Sequence, residues 1–199
     1  MIEPTCEIFN GWRADGKNLK FLRCDDAGEN KMLQTRLQSV DWKFNIKFEF
    51  TGRATPQRNH LAELAFAILA NRGRAMLSSA NVTREWRPLL WREAFKTATL
   101  LDGLTVINIG GVSQTRYEHW GLKLPGFYKH LRTWGEAGMV KVKTSTTPKI
   151  FDRGIKCMFV GYAEYHAGNT YRMYDPNTKR VHLSRDVVWA KQMFFIRRM

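Results

Sequence analysis

Two carboxylates, Asp25 and Glu63, are the residues whose type and predicted position could support chemistry. Residues 19–24 alternate in hydropathy as a strand does, and Asp25 follows them in an acidic turn, whereas Glu63 falls near the start of a predicted helix. Carboxylates on the ends of rigid elements can hold two divalent cations about 4 Å apart for phosphoryl transfer. Helix caps and solvated charges are the commoner explanation of such residues, so their spacing alone predicts no function.

The chain is strongly basic. Its 199 residues include 32 Lys and Arg against 18 Asp and Glu, which gives a net charge of +14 and a pI near 10.0. Such a charge favours an anionic partner, either nucleic acid or an anionic membrane surface. No segment approaches the roughly 20 apolar residues that cross a bilayer, and the first residues do not resemble a signal peptide. We therefore expect an intracellular protein with no membrane partner.

Cysteines and histidines predict no metal site. Cys6, Cys24 and Cys157 are an odd number without a CxxC pair, so neither a disulfide framework nor a cysteine zinc knuckle is indicated. The five histidines lack ligand spacing. Cys24 is interpreted as a small buried residue, since no histidine is placed by sequence to activate its thiol.

Hydrophobic periodicity predicts an α/β region, then a helical pair, then a strand-rich tail. Two strands, at residues 19–24 and 44–50, are separated by a helix over 31–41. A long helix from about residue 59 and a second over 85–101 form the pair. Loops dominate residues 104–149. Four short strands follow, at residues 157–162, 170–174, 180–184 and 186–189, and their even spacing favours a small barrel or meander.

Two motifs surround the carboxylates. Residues 22–30 read Leu-Arg-Cys-Asp-Asp-Ala-Gly-Glu-Asn, and residues 55–63 read Thr-Pro-Gln-Arg-Asn-His-Leu-Ala-Glu. The first resembles the segment around the second catalytic Asp of copia-type LTR retrotransposon integrases. The second resembles the segment that carries their catalytic Glu. The resemblance implies that Asp25 and Glu63 are the matching catalytic and metal-binding positions.

The resemblance continues through most of the chain. Blocks similar to the same polyproteins follow in collinear order, at residues 74–77, 90–94, 117–121, 130–135, 156–162, 171–176 and 184–188. The implied domains are the C-terminal part of an RNase H-like integrase core at 1–80, a helical and loop-rich connection at 81–148, and an SH3-like β barrel with a basic tail at 149–199.

The implied function is DNA integration. The family enzyme would use Mg²⁺ or Mn²⁺, act on retrotransposon cDNA ends and target DNA in the nucleus, and associate with further copies of itself. The residues expected to contact DNA lie in loops that flank the carboxylates or in the tail; they are Arg23, Arg53, Gln57, Arg58, Asn59, Lys141, Lys143, Lys149, Arg153 and Lys156.

Departures from the family pattern predict an incomplete enzyme. The first catalytic Asp of the family is expected upstream, on a strand that this chain does not contain. His60 stands where the family has Gly, Leu64 replaces a basic residue, and Asp26 replaces Asn. The expected integrase-type polynucleotidyl transferase would then be inactive as an isolated chain. Two alternatives remain: a non-catalytic or domesticated nucleic-acid-binding module, and an SH3-like protein that binds peptides.

Overall fold

The computed structural model describes residues 2–52, 60–141 and 154–196, and it contains two compact units, Met1–Phe66 and Ala67–Met199. The first unit contains α1 (Ile2–Ala14), β1 (Phe21–Asp25), α2 (Gly28–Leu37), β2 (Lys47–Thr51) and the start of α3 (His60–Ser79). The second contains the rest of α3 and all later elements.

The first unit has a parallel β-α-β arrangement. β1 pairs in parallel with β2, from Phe21 opposite Lys47 to Asp25 opposite Thr51. Parallel neighbours need a crossover connection, which α2 provides. Apolar side chains of α1, α2 and the segment before β2 form the core, which consists of Cys6, Phe9, Leu37, Phe44 and Ile46. The two predicted strands and the helix between them are present, with bounds shifted by up to a few residues.

The predicted helical pair is also present. α3 is followed by Asn81, whose positive φ of 55° turns the chain out of the helix. α4 (Arg87–Asp102) begins with Pro88 in its first turn, where a missing backbone N–H costs no helical hydrogen bond. Leu77 of α3 packs with Leu90 and Ala94 of α4 in one core cluster.

An antiparallel five-stranded sheet dominates the second unit. Its strands are β5 (Glu136–Lys141), β6 (Gly154–Tyr162), β7 (Tyr171–Asp175), β8 (Arg180–Ser184) and β9 (Val187–Met193), arranged in the order β8-β7-β6-β5-β9. The last four correspond to the four strands that the sequence predicts. The sequence pattern did not predict β5, which lies between β6 and β9 in the sheet.

The sheet is covered on both faces. One face presents Met158 and Val160 of β6 to Leu77 and Leu90 of the helical pair. The other face presents Cys157 and Phe159 to a second cluster, which includes Phe127 from a 3₁₀ helix at Gly126–His130. Alternation of side chains along β6 therefore supplies two cores from one strand.

The expectation of a closed barrel is not met. β8 and β9 are the two edges of the five-stranded sheet, and within the part of the chain that the structure describes they are not hydrogen-bonded to each other. A barrel closes only when its edge strands pair, so the observed architecture is an open, two-faced sheet. Residues 104–130 also carry more structure than expected, namely a hairpin of β3 (Val106–Ile109) and β4 (Val112–Thr115), followed by α5 (Arg116–His119).

Membrane insertion through a helix has no support in the described ranges. None of the helices there combines the length and the apolar character that a bilayer span requires.

Candidate functional site

Asp25 lies at the C-terminal end of β1, with an exposed side chain. The side-chain amide of Asn30, in the first turns of α2, donates a hydrogen bond to the Asp25 carboxylate and another to the Asp25 backbone carbonyl at 3.2 Å. α2 begins only three residues after Asp25, at Gly28, which brings Asn30 back over the strand end. The sequence motif therefore forms a local structure in which one side chain orients the carboxylate.

The charged neighbours of Asp25 are paired. The carboxylate of Asp26 lies 2.7 Å from the ammonium of Lys31. On the adjacent strand, Glu49 lies 2.9 Å from the guanidinium of Arg23, its direct partner in the β1–β2 register. Both pairs are largely solvent-exposed, so each contributes little to stability. Arg23, which the sequence predicts to contact DNA, is therefore partly neutralised by a carboxylate.

Glu63 lies in the first turn of α3, and its side chain is exposed. A carboxylate there interacts favourably with the positive end of the helix dipole. Residues 53–59, which connect β2 to α3, lie outside the described residues, and they include four predicted DNA contacts, Arg53, Gln57, Arg58 and Asn59. The prediction that Asp25 and Glu63 form one site stays a prediction.

The described carboxylates do not by themselves complete a two-metal site. Among residues 2–52, 60–141 and 154–196, no three His, Cys, Asp or Glu side chains form a group that could hold a metal ion. Two divalent cations require several hard oxygen ligands at once, and the Asn30 amide already occupies one oxygen of Asp25. No catalytic step through a metal follows from these residues alone.

The cysteines are not poised for reaction. Burial, and then the charge of Asp25, raises the pKa of the half-buried Cys24 thiol. Cys157 is fully buried, and burial followed by the charge of Asp175 raises its pKa to about 12. Since the thiolate is the reactive form, both shifts oppose nucleophilic chemistry, as the sequence interpretation expects for Cys24.

The remaining predicted DNA contacts divide into two groups. Lys143, Lys149 and Arg153 lie outside the described residues. Lys141 and Lys156 are exposed, and they lie on neighbouring strands β5 and β6. Sequence reasoning missed Arg185, which lines an open groove of about 550 Å³ together with Lys141, Met139 and Val188. Only the pairing of β5 with β6 and β9 brings these positions together, and no local sequence signal marks them.

Two similarities to known proteins bear on the family of this chain. A family model described as the retroviral polymerase SH3-like domain matches residues 137–197, a range that includes β6 to β9 and all of β5 except its first residue. Over 179 residues the chain is 32% identical to the retrovirus-related Pol polyprotein from transposon TNT 1-94 of Nicotiana tabacum, an alignment that covers 90% of this chain. The chain spans 13% of the length of that polyprotein.

Proposed function

The chain belongs to the copia-type retrotransposon Pol polyproteins, and we propose that it is part of an integrase that binds DNA but is catalytically incomplete by itself. The observation that carries this proposal is the placement of the two motif carboxylates. Asp25 ends a strand of a parallel pair, and Glu63 lies in the first turn of a helix. Both are rigid positions of the kind from which a phosphoryl-transfer site is built.

The proposed fold of the first unit is the C-terminal part of an RNase H-like core. Support comes from the parallel β1-α2-β2 arrangement, because parallel strands with a helical crossover are typical of an α/β sheet. The proposed fold of the five-stranded sheet is SH3-like, and its support is the family match over residues 137–197. The expected domain limits at residues 80 and 148 stay predictions.

Catalytic incompleteness follows from a shortage of ligands. In the proposed intact enzyme, Asp25 and Glu63 would supply carboxylate oxygens to hold Mg²⁺ or Mn²⁺, and the ions would supply the Lewis acidity that phosphoryl transfer needs. A third carboxylate, expected elsewhere in the polyprotein, would be needed to complete that site. Among the described residues, no three His, Cys, Asp or Glu side chains are grouped so that they could hold a metal ion.

DNA binding is proposed from charge. A net charge of +14 favours binding to phosphates, because neutralising them releases their counterions. We propose cDNA ends and target DNA as partners, with the nucleus as the place where they meet. Binding of this kind depends on accumulated Lys and Arg, so it should be only weakly selective for base sequence.

DNA binding is tested by measuring duplex affinity against salt concentration. The logarithm of the affinity should fall linearly with the logarithm of salt concentration, by roughly 0.9 for each phosphate contacted. Lys141→Glu should reduce that slope by about 1, whereas Lys123→Glu, at an exposed lysine outside the predicted set, should change it less. A flat salt response, or strong preference for one DNA sequence, would contradict the proposal.

Catalytic incompleteness is tested by nicking and strand-transfer assays with Mg²⁺ or Mn²⁺. We expect no activity from the isolated chain, because the proposed reaction needs two ions held together and the chain has too few ligands for them. Any activity that Glu63→Gln abolishes would refute this expectation.

The alternative is a binding module in which the acidic pair is idle. It is favoured by the hydrogen bond from Asn30, which satisfies Asp25 without a metal. Titration with Mn²⁺ separates the two proposals, since only the integrase proposal predicts binding that Asp25→Ala weakens.

A further inference from the structure

One end of the five-stranded sheet has an exposed row of side chains. Met139 of β5 lies directly opposite Lys156 of β6 on one side and Val188 of β9 on the other. Residues paired in this way point to the same face of the sheet. The exposed fractions are 40% for Met139 and 73% for Val188, and Lys156 is also exposed.

This row continues the face that the helices cover elsewhere. Lys156, Met158 and Val160 alternate along β6 and share that face, yet Met158 and Val160 are buried against α3 and α4. The cover therefore ends between Met158 and Lys156. Gly154 leaves space beside Met139 at this uncovered end of the face, since a Cβ at Gly154 would lie 3.3 Å from Cε of Met139.

Cations surround the apolar centre. Lys141 is two residues beyond Met139 on the same face, and Arg185 lines the groove at the start of β9. Asp186 is the one carboxylate in the described lining, so the cations are in excess. We name this surface the β5–β9 shelf and define it as Met139, Val188, Lys141, Lys156, Arg185 and Gly154.

The shelf ends at a free strand edge. Among the residues that the structure describes, β9 pairs with β5 alone, so its other side has no neighbouring strand. Lys191 has a positive φ of 53°, which interrupts the extended conformation of β9. The regular part of the free edge is therefore Val187 to Ala190. An extended peptide added beside this part would continue the row of Lys156, Met139 and Val188.

From these features we propose that the β5–β9 shelf binds an extended peptide with alternating apolar and acidic side chains, which adds as a strand beside β9. Apolar side chains of the peptide would cover Met139 and Val188, and its carboxylates would face Lys141, Lys156 and Arg185. Hydrophobic burial and charge complementarity then act on the same ligand. The partner is a segment of protein, and this activity is additional to the proposed DNA binding.

Lys141 and Lys156 can also contact DNA, but nucleic acid fits the shelf as a whole less well than a peptide does. A phosphate backbone would engage the cations but would gain nothing from Met139 and Val188 at the centre. Bases could gain from stacking on aromatic rings, but none of the residues found to line the groove is aromatic. The exposed apolar pair therefore favours a peptide.

The experiment selects short random peptides displayed on phage against the full chain. Enriched peptides should combine Asp or Glu with apolar residues. Their affinity should fall about tenfold in Val188→Ser and in Lys156→Glu, since each change removes one part of the recognition. Leu183→Ser is the matched apolar control, because Leu183 is 48% exposed on β8, the opposite edge of the same sheet. Lys123→Glu is the charge control, and thermal unfolding checks that every variant folds.

The outcomes separate peptide binding from DNA binding. Loss of peptide affinity in the shelf variants, with the controls unchanged, supports the proposal. Failure to enrich any peptide, enrichment of peptides without acidic residues, or equal affinity in Val188→Ser overturns it. Val188→Ser should leave duplex DNA affinity unchanged, and an equal loss there would identify the shelf as a nucleic-acid surface instead. Absence of DNA binding by the unmodified chain would count only against the proposed integrase function.

Discussion

Asp175 is a buried carboxylate that is satisfied by its own turn. Its side chain accepts hydrogen bonds from the Asn177 backbone N–H at 2.9 Å and from the Thr178 hydroxyl at 2.8 Å, and Nε2 of His182 lies 3.9 Å away. Burial alone would raise the pKa of this carboxyl. The hydrogen bonds and His182 outweigh burial, and the net result is a pKa below the ordinary value of 3.8.

Replacement Asp175→Asn should therefore destabilise the chain in a pH-dependent way. A carboxyl whose pKa is lowered by folding contributes its full stabilisation above 3.8, and that contribution is lost as the pH falls through the lowered value. We expect a loss of about 2 kcal/mol near neutral pH, as for hydrogen bonds to a charged group. Denaturant unfolding at a series of pH values should show the two proteins converging in acid. A difference that stays constant down to about pH 3 would contradict this account.

At the scale of elements, α4 is held to β6 by a close polar contact. The hydroxyl of Thr97 donates to the backbone carbonyl of Val160 at 2.6 Å, and Nε1 of Trp134 donates to the same oxygen at 3.1 Å. Gly161, next in the strand, has a φ of 147°. A Cβ on Gly161 would lie 2.5 Å from the Thr97 hydroxyl, so the approach of helix to strand requires glycine.

Gly161→Ala should separate α4 from β6 and lower the free energy of unfolding by about 2 kcal/mol, because it combines an unfavourable φ with overpacking. Urea denaturation measures the loss. Gly73→Ala is the matched control. Gly73 lies within helix α3, and a Cβ there would meet Trp91 of α4 at 3.5 Å, an ordinary contact distance. That variant should be neutral or slightly stabilising, because alanine favours the helix. Equal losses in the two variants would argue against a specific requirement at Gly161.

At the scale of the molecule, the position of β5 determines what can fold alone. β5 pairs with β6 through residues 137–141 and with β9 through Glu136 to Val140. A tail that began at residue 149, as the sequence suggests, would lack this strand and leave edges of both β6 and β9 unpaired. The second compact unit, Ala67–Met199, retains β5 together with the helices that cover the sheet.

A fragment of residues 67–199 should therefore fold cooperatively, whereas a fragment of residues 149–199 should not. Near-ultraviolet circular dichroism of the tryptophans and denaturant unfolding distinguish the two cases. The longer fragment should give a sigmoidal transition and fixed aromatic signals, and the shorter one neither. Cooperative unfolding of the shorter fragment would support the boundary at residue 149 and show that β5 is dispensable.

Elements that depend on local information could be predicted from the amino-acid sequence. Alternation located β1 and β2, the even spacing of short strands located β6 to β9, helical periodicity located α3 and α4, and the motifs around Asp25 and Glu63 identified the polyprotein family. Such features depend on neighbours within a few residues, so a short window contains the information. The family resemblance added the roles of Asp25 and Glu63, which remain proposals.

The way in which distant segments combine could not be predicted from local sequence patterns. β5 reads Glu-Ala-Gly-Met-Val-Lys, which lacks the alternation of a typical strand. Its first three residues are nevertheless buried, because β5 is paired on both sides, with β6 and with β9. The open edges of β8 and β9 likewise depend on which strands pair, and the shelf around Met139 and Val188 exists only where β5, β6 and β9 lie side by side. Strand pairing joins residues far apart in the chain at a cost in loop-closure entropy, and local preference carries no record of the outcome.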